Sequence, residues 1–438
     1  MNSSLQAEII SREMVKPSSP TPKHQKIHAL CFFEQISSTI YVPFVFFYAK
    51  DTCPDRSHIS YLLKGSLSET LSKYYPLAGR LKDSVTVDCN DEGIEFFETR
   101  INCDLSYIFK NPNAETIKIL IPNDLEYKDP FLSSLVIVQV NFFDCGGMGL
   151  TVCISHKIAD MATLYSFINN WAAIARNSGK EYISPLFNLG SLYPPIDLPV
   201  MSYEVPEKVK CISRRIIFDF PKIAILKSII AKEIQDPTRV EVVTALIYKS
   251  AISAAKTVSR SLKPTILHQA IHLRSWVSPP VPENAMGCLT GIFPVPIMDE
   301  SEIHQLAQLV RQTRQGKIRF REESKKKLVL EEFYSFILEC SKGVRESQNK
   351  NIYMCSSLCG FSFYVADFGW GKPTWVTHSI LDARNIIMLI DTREGNGIEA
   401  YVSLEENEMA VFESNKELLA FAKINPTVSD SQILGSRL

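Results

Sequence analysis

The sequence lacks an imbalance of charge. Its 438 residues carry 47 Lys and Arg against 48 Asp and Glu, a formal net charge of −1. That leaves no basic excess of the kind phosphate-backbone recognition requires, so no nucleic-acid partner is expected. Long apolar runs are also missing: stretches such as Pro43 to Ala49 and Ile386 to Ile390 are strand-sized, well short of the roughly 18–20 residues that cross a bilayer, so no membrane span is expected. The N-terminus, MNSSLQAEIISREMVK, has acidic residues where a secretory signal needs an apolar block. The eleven cysteines are an odd number, scattered without paired spacing. They read as reduced thiols, and the cytoplasm is the expected location.

Several catalytic signatures are absent. There is no Gly-x-Ser-x-Gly elbow, no Gly-x-x-x-x-Gly-Lys-Ser/Thr phosphate loop and no Cys-x-x-Cys pair. Gly147-Met148-Gly149 continues to Val152 where a dinucleotide fingerprint needs Gly or Ala, and Cys355 and Cys359 have no second pair. Elbow-serine hydrolysis, ATP use, hydride transfer and zinc catalysis all lose their usual residues. No metal and no permanently bound cofactor are expected.

What is present is the material of a large globular protein, 45% hydrophobic and 22% charged, which is long enough for two domains. The segment from Ser184 to Val205 contains Pro185, Pro194, Pro195 and Pro199, with Pro206 just beyond, and has no periodicity. It predicts a linker over 184–211 between domains at 1–183 and 212–438. Leu135 to Phe143 and Leu150 to Ile154 read as strands and Ile158 to Arg176 as a helix. Beyond the linker, Ile216 to Phe220 and Arg239 to Ala255 repeat that mixture, so both halves are α/β. Lys325, Lys326 and Lys327 sit in a charged run with Glu322, Glu323, Glu331 and Glu332 and read as a solvated face. The final Ser436-Arg437-Leu438 is similar to a peroxisomal address, but its favoured reading is a plain tail.

The chemistry is carried by Ser155-His156-Lys157-Ile158-Ala159-Asp160, between an apolar strand and a helix, a junction that projects side chains into clefts. A histidine there, with an ordinary pKa near ~6.5, can accept a hydroxyl proton as a general base. Spacing alone leaves another reading open, in which His156 is a packed core histidine and Asp160 a first-turn helix acid.

Downstream stands Ala366-Asp367-Phe368-Gly369-Trp370-Gly371-Lys372-Pro373. His-x-x-x-Asp followed by Asp-Phe-Gly-Trp-Gly resembles the motif pair of the plant BAHD acyltransferases. The likeness extends over Lys16-Pro17-Ser18-Ser19-Pro20, Tyr75-Pro76-Leu77-Ala78-Gly79-Arg80, Phe143-Asp144-Cys145-Gly146-Gly147 and Asp391-Thr392-Arg393. It is closest to the branch of alkaloid O-acetyltransferases and acylsugar acyltransferases.

The resemblance implies an α/β fold of two similar chloramphenicol acetyltransferase-like domains, joined by a crossover, with a solvent channel between them. Acyl-CoA enters such a channel as co-substrate, the other partner is a small-molecule alcohol, and the enzyme is a monomer. His156 is then the base in a ternary complex, and Asp160 turns from it to pair with Arg274. Asp367 is a second proton acceptor in some accounts, although Gly369, Trp370 and Gly371 suit a structural loop.

Three positions depart from that branch: His272 and Cys288 stand where Asn is usual, and Val365 replaces an acid. Cys288 matters most, because a thiol is a weaker donor than an amide and the acceptor pocket is altered by it. Arg214-Arg215 and Thr238-Arg239 are candidates for the CoA phosphates. Two rival readings are a catalytically silent binding protein of the same fold and a peptide-synthetase condensation domain. The second predicts carrier domains that this chain lacks.

Overall fold

The structure, a computed structural model, describes residues 5–123, 125, 128–177, 182–198, 209–261, 263–297, 305–326, 329–345, 350–379 and 383–428. Pro199, Val205, Pro206, Lys327 and the Ser436-Arg437-Leu438 tripeptide lie outside these residues.

Strands buried at every position need cover on both faces of their sheet. Val136–Phe143 and Met148–Ser155 are buried throughout, and Tyr41–Tyr48 at all but Val42. They form the interior of the first sheet, whose order is Ala7–Val15, Ile94–Ile101, Val136–Phe143, Met148–Ser155, Tyr41–Tyr48 and Trp375–His378. Ala7–Val15, exposed along most of its length, is an edge. The helices Arg56–Lys73 and Met161–Ala175 cover one face through Leu63, Leu67, Leu71, Phe167 and Trp171. Phe109, Phe143 and Trp375 pack on the other face with Phe47 and Cys153.

The second sheet runs Thr290–Ile297, Thr265–His272, Asn351–Ser357, Ile386–Asp391, Ile398–Glu405, Cys211–Phe218 and Lys423–Ile424. Its principal cover is the helix Arg239–Ser259, which starts where Thr238 and Glu241 close a reciprocal capping box and which buries Val242, Leu246 and Ile252. Both halves are therefore α/β.

The halves interpenetrate across the division expected at 184–211. Trp375–His378, from the second half, pairs antiparallel with Tyr41–Tyr48 and completes the first sheet. Phe363, Ala366, Phe368 and Trp370 pack into the first core with it. In the other direction Cys31, Phe32 and Phe33 pack into the second core, where Phe32 stacks on Tyr334 at 3.8 Å.

A buried polar network secures the inserted strand. Glu399, fully buried, accepts from Arg215 Nε at 2.6 Å, from Trp375 Nε1 at 3.0 Å and from the Tyr401 hydroxyl at 2.7 Å. Burial pushes the Arg215 guanidinium down, but the Glu399 charge outweighs it and holds the pKa above the usual value. This corrects the expectation for Arg215: it is an internal strut and offers no donor to a cofactor phosphate. Arg214 pairs with Glu413 at 2.7 Å, and Arg239 with Asp391 at 3.1 Å. Lys326 pairs with Glu323 on an exposed helix end, as a solvated face would. Among the described residues no helix is long and apolar enough to cross a membrane.

Candidate active site

Met148–Ser155 carries the chain through the first sheet to His156, whose backbone N–H still donates to Ile40 O at 2.8 Å and so extends the ladder by one residue. The chain then turns, with Ile158 N bonded to Ser155 O at 3.2 Å, and the helix Met161–Ala175 begins. Asp160 is its N-cap, accepting from Thr163 N at 3.0 Å. Aspartate suits that position because its short carboxylate satisfies an orphan N–H of the first turn. The His-x-x-x-Asp spacing is thus the length of the turn.

Asp160 makes no bond to His156. Its Oδ2 accepts from Arg274 Nη1 and from Leu289 N at 3.0 Å, and its Oδ1 from Arg274 Nη2 at 3.1 Å. Burial pushes this carboxyl up, but the Arg274 charge and these hydrogen bonds overcome that and keep it below the ordinary carboxylate range. Arg274 is wholly buried and also donates to Ala285 O at 2.8 Å and Gly287 O at 3.2 Å. The pair therefore clamps the segment 285–289 of the second half onto the helix start of the first. Gly287 is required there: its φ is +136°, and a Cβ would meet Leu189 at 2.6 Å and Glu34 Oε1 at 3.0 Å.

That clamp delivers Cys288 to His156. Its Sγ lies 3.6 Å from His156 Nδ1, 3.0 Å from the Thr290 hydroxyl and 3.3 Å from the Ser37 hydroxyl. His156 is half-buried. Burial pushes its pKa down, while the Cys288 sulfur, by charge and hydrogen bond, a hydrogen bond to the His156 backbone and the Asp160 charge carry it up to about 9.

Asp367 is elsewhere. Its Oδ1 accepts from Gly369 N at 2.8 Å and Gly371 N at 2.9 Å, and its carbonyl accepts from Arg176. Gly369 and Gly371 have φ of +112° and +99°, and Phe368 and Trp370 stack at 5.8 Å on the first core. Arg176 caps the C-terminus of the helix that Asp160 caps at the N-terminus. At 1.5 Å per residue, fifteen residues separate the two ends by roughly 20 Å. The structure brings His156, Asp160, Arg274 and Cys288 together, while Asp367, Gly369, Trp370 and Gly371 form a separate loop. His272 borders the first group, with Nε2 3.0 Å from Glu283 and Nδ1 3.4 Å from Arg274 Nη1.

Glu34, Ser37 and Thr290 escaped sequence reasoning. Glu34 is buried with Oε2 accepting from Cys31 N at 2.7 Å, and burial pushes its carboxyl up to about 8. An acid directly after the apolar run Leu30 to Phe33 was the available signal; Ser37 and Thr290 had none.

The sequence profile of the transferase family matches residues 5–419. Akuammiline synthase 1 of Alstonia scholaris is 40% identical over 422 residues, covering 95% of this chain and 97% of that protein. Acylsugar acyltransferase 3 of Solanum lycopersicum is 35% identical over 434 residues, covering 97% and 99%. The crystal structure of vinorine synthase superposes with a TM-score of 0.84 at 30% identity, covering 97% of this chain and 100% of that one. With the fold, the His-x-x-x-Asp junction and the Asp-Phe-Gly-Trp-Gly loop all in one chain, these matches make it a member of the plant BAHD acyltransferase family, and an acyltransferase.

Proposed function

We propose that the protein transfers an acetyl or other short acyl group from acyl-CoA to a hydroxyl of a plant specialised metabolite, an alkaloid alcohol or a sugar ester. His156 is the general base. The observation that carries this reading is the half-buried His156 at the strand-to-helix turn, with Asp160 bonded to Arg274 and not to it. In the reaction His156 Nε2 takes the alcohol proton as the oxygen attacks the thioester carbonyl, and the proton then passes to the CoA sulfur as the C–S bond breaks. No cofactor stays bound, since CoA is consumed and released as co-substrate. The reading includes a channel between two domains divided near 184–211, a monomeric enzyme and a cytoplasmic location. The akuammiline synthase and acylsugar acyltransferase relatives support the substrate class.

The test uses purified wild type and His156→Ala with a panel of acyl-CoAs and plant alcohols, following esters by mass spectrometry. A folded variant that loses on the order of 10²–10⁴ in rate supports the base role. A variant that matches wild type refutes it. A second reading, a silent binding protein of this fold, gains from the elevated His156, because an imidazolium accepts no proton. Acyl-CoA binding with no ester at any pH would favour it.

A further inference from the structure

The helix Phe220–Ile230, FPKIAILKSII, is apolar nearly all round, with Lys222, Lys227 and Ser228 its only polar residues. Ile223, Leu226 and Ile230 bury one side of it in the second core. At 3.6 residues per turn these three fall within an arc of about 60°. The opposite half holds Phe220, Pro221, Ala224, Ile225, Ser228 and Ile229, and all six are exposed, Phe220 at 53%, Ile225 at 50% and Ile229 at 45%. A helix apolar on every side is ordinarily covered on every side, whereas the outer half of this one has no cover within the chain. The short helix Lys416–Phe421 packs beside it and adds Leu419, 46% exposed.

The acids around this face are already matched by cations. Asp219 pairs with Lys423 at 3.3 Å, Glu233 with Arg311 at 3.8 Å and Glu417 with Lys249 at 2.7 Å, while Arg314 lies against Asp236 and donates to its carbonyl at 2.8 Å. Lys222, Lys227, Lys232 and Lys416 have no ion pair among the described residues, so the face carries a positive excess. Lys222 and Lys227 stand at the two borders of the exposed half, where a lysine lays its methylenes along apolar surface and holds its ammonium at the water line. We propose that this face docks on an anionic bilayer, with Phe220, Ile225, Ile229 and Leu419 in the headgroup boundary and the four lysines against lipid phosphates. Eleven residues span about 16 Å, so the helix lies in the plane of the interface while its inner side stays on the core. A second copy of the chain fits less well, because it sets four lysines against four. Neither helix carries His156, Asp160 or Arg274, so attachment is separable from acyl transfer.

Full-length protein is sedimented with vesicles of phosphatidylcholine alone and of phosphatidylcholine mixed with phosphatidylserine, at low and at physiological salt. Wild type is expected to pellet with the mixed vesicles, less so as salt rises, and to stay in solution with phosphatidylcholine alone. Ile225→Ser with Ile229→Ser, and separately Lys222→Glu with Lys227→Glu, should each weaken binding about tenfold or more. These side chains point away from the core, so both variants are expected to melt within a few degrees of wild type and to keep its ester formation in the absence of vesicles. No pelleting with either vesicle, equal pelleting with both, or binding that survives both variants overturns the inference. So does a doubling of mass by light scattering that Ile225→Ser with Ile229→Ser abolishes, since the face then belongs to a second copy of the chain.

Discussion

Replacing Asp160 by Ala removes acceptors for Arg274 Nη1, Arg274 Nη2, Leu289 N and Thr163 N together. Arg274 remains wholly buried, with backbone carbonyls, the Thr163 hydroxyl and His272 Nδ1 to receive its protons but no bonded carboxylate among the described residues. Breaking a buried pair from one side costs about 3–5 kcal/mol, because the survivor is an uncompensated charge. Loss of the helix N-cap adds about 1 kcal/mol. The sum rivals the stability of a whole domain, so Asp160→Ala is expected to be recovered poorly and to melt many degrees below wild type. Removing the second charge as well, in Asp160→Ala with Arg274→Met, relieves the orphaned cation and recovers part of the melting temperature. The assay is a thermal melt of each variant, with ester formation expressed per folded molecule. If Asp160→Ala melts like wild type and still loses activity on the order of 10³, the carboxylate acts in the chemistry and the structural reasoning is refuted.

Glu399→Gln removes the charge shared by Arg215, Trp375 and Tyr401, and is expected to cost about 3 kcal/mol or more and to shift Trp375 fluorescence; an unchanged melt would refute it. Asp367→Ala loses hydrogen bonds to Gly369 and Gly371, for about 1–3 kcal/mol of stability, with ester formation per folded molecule within about twofold of wild type. His268 is buried without a ring partner among the described residues and is pushed down to about 4 by desolvation. Its folded pKa is therefore below its unfolded value of 6.5. The neutral ring contributes nothing unfavourable above pH 6.5, and stability falls as the pH drops from 6.5 toward 4, by up to about 1.4 kcal/mol per unit. Urea midpoints at pH 7 and pH 5 should differ less in His268→Leu than in wild type.

The amino-acid order alone pointed to Leu135 to Phe143 and Leu150 to Ile154 as strands, because both are short runs rich in apolar and β-branched residues. It also determined the strand-to-helix junction at His156, while the structure began the helix at Met161, three residues later than its apolar spacing suggests, and made Asp160 its N-cap. The resemblance supplied Arg274 as the partner of Asp160, which local patterning could not, because 114 positions separate the two. Only the tertiary structure decided the rest. It moved Trp375–His378 into the first sheet, turned Arg215 from a candidate phosphate ligand into an internal strut, and sent Asp367 to the far end of the helix from His156. It also set Glu34, Ser37 and Thr290 around Cys288, although each comes from a stretch with no motif. Periodicity reports which face of an element is buried, whereas contacts between elements depend on how two whole sheets interlock. A side chain's chemistry is fixed by the neighbours that such packing brings to it.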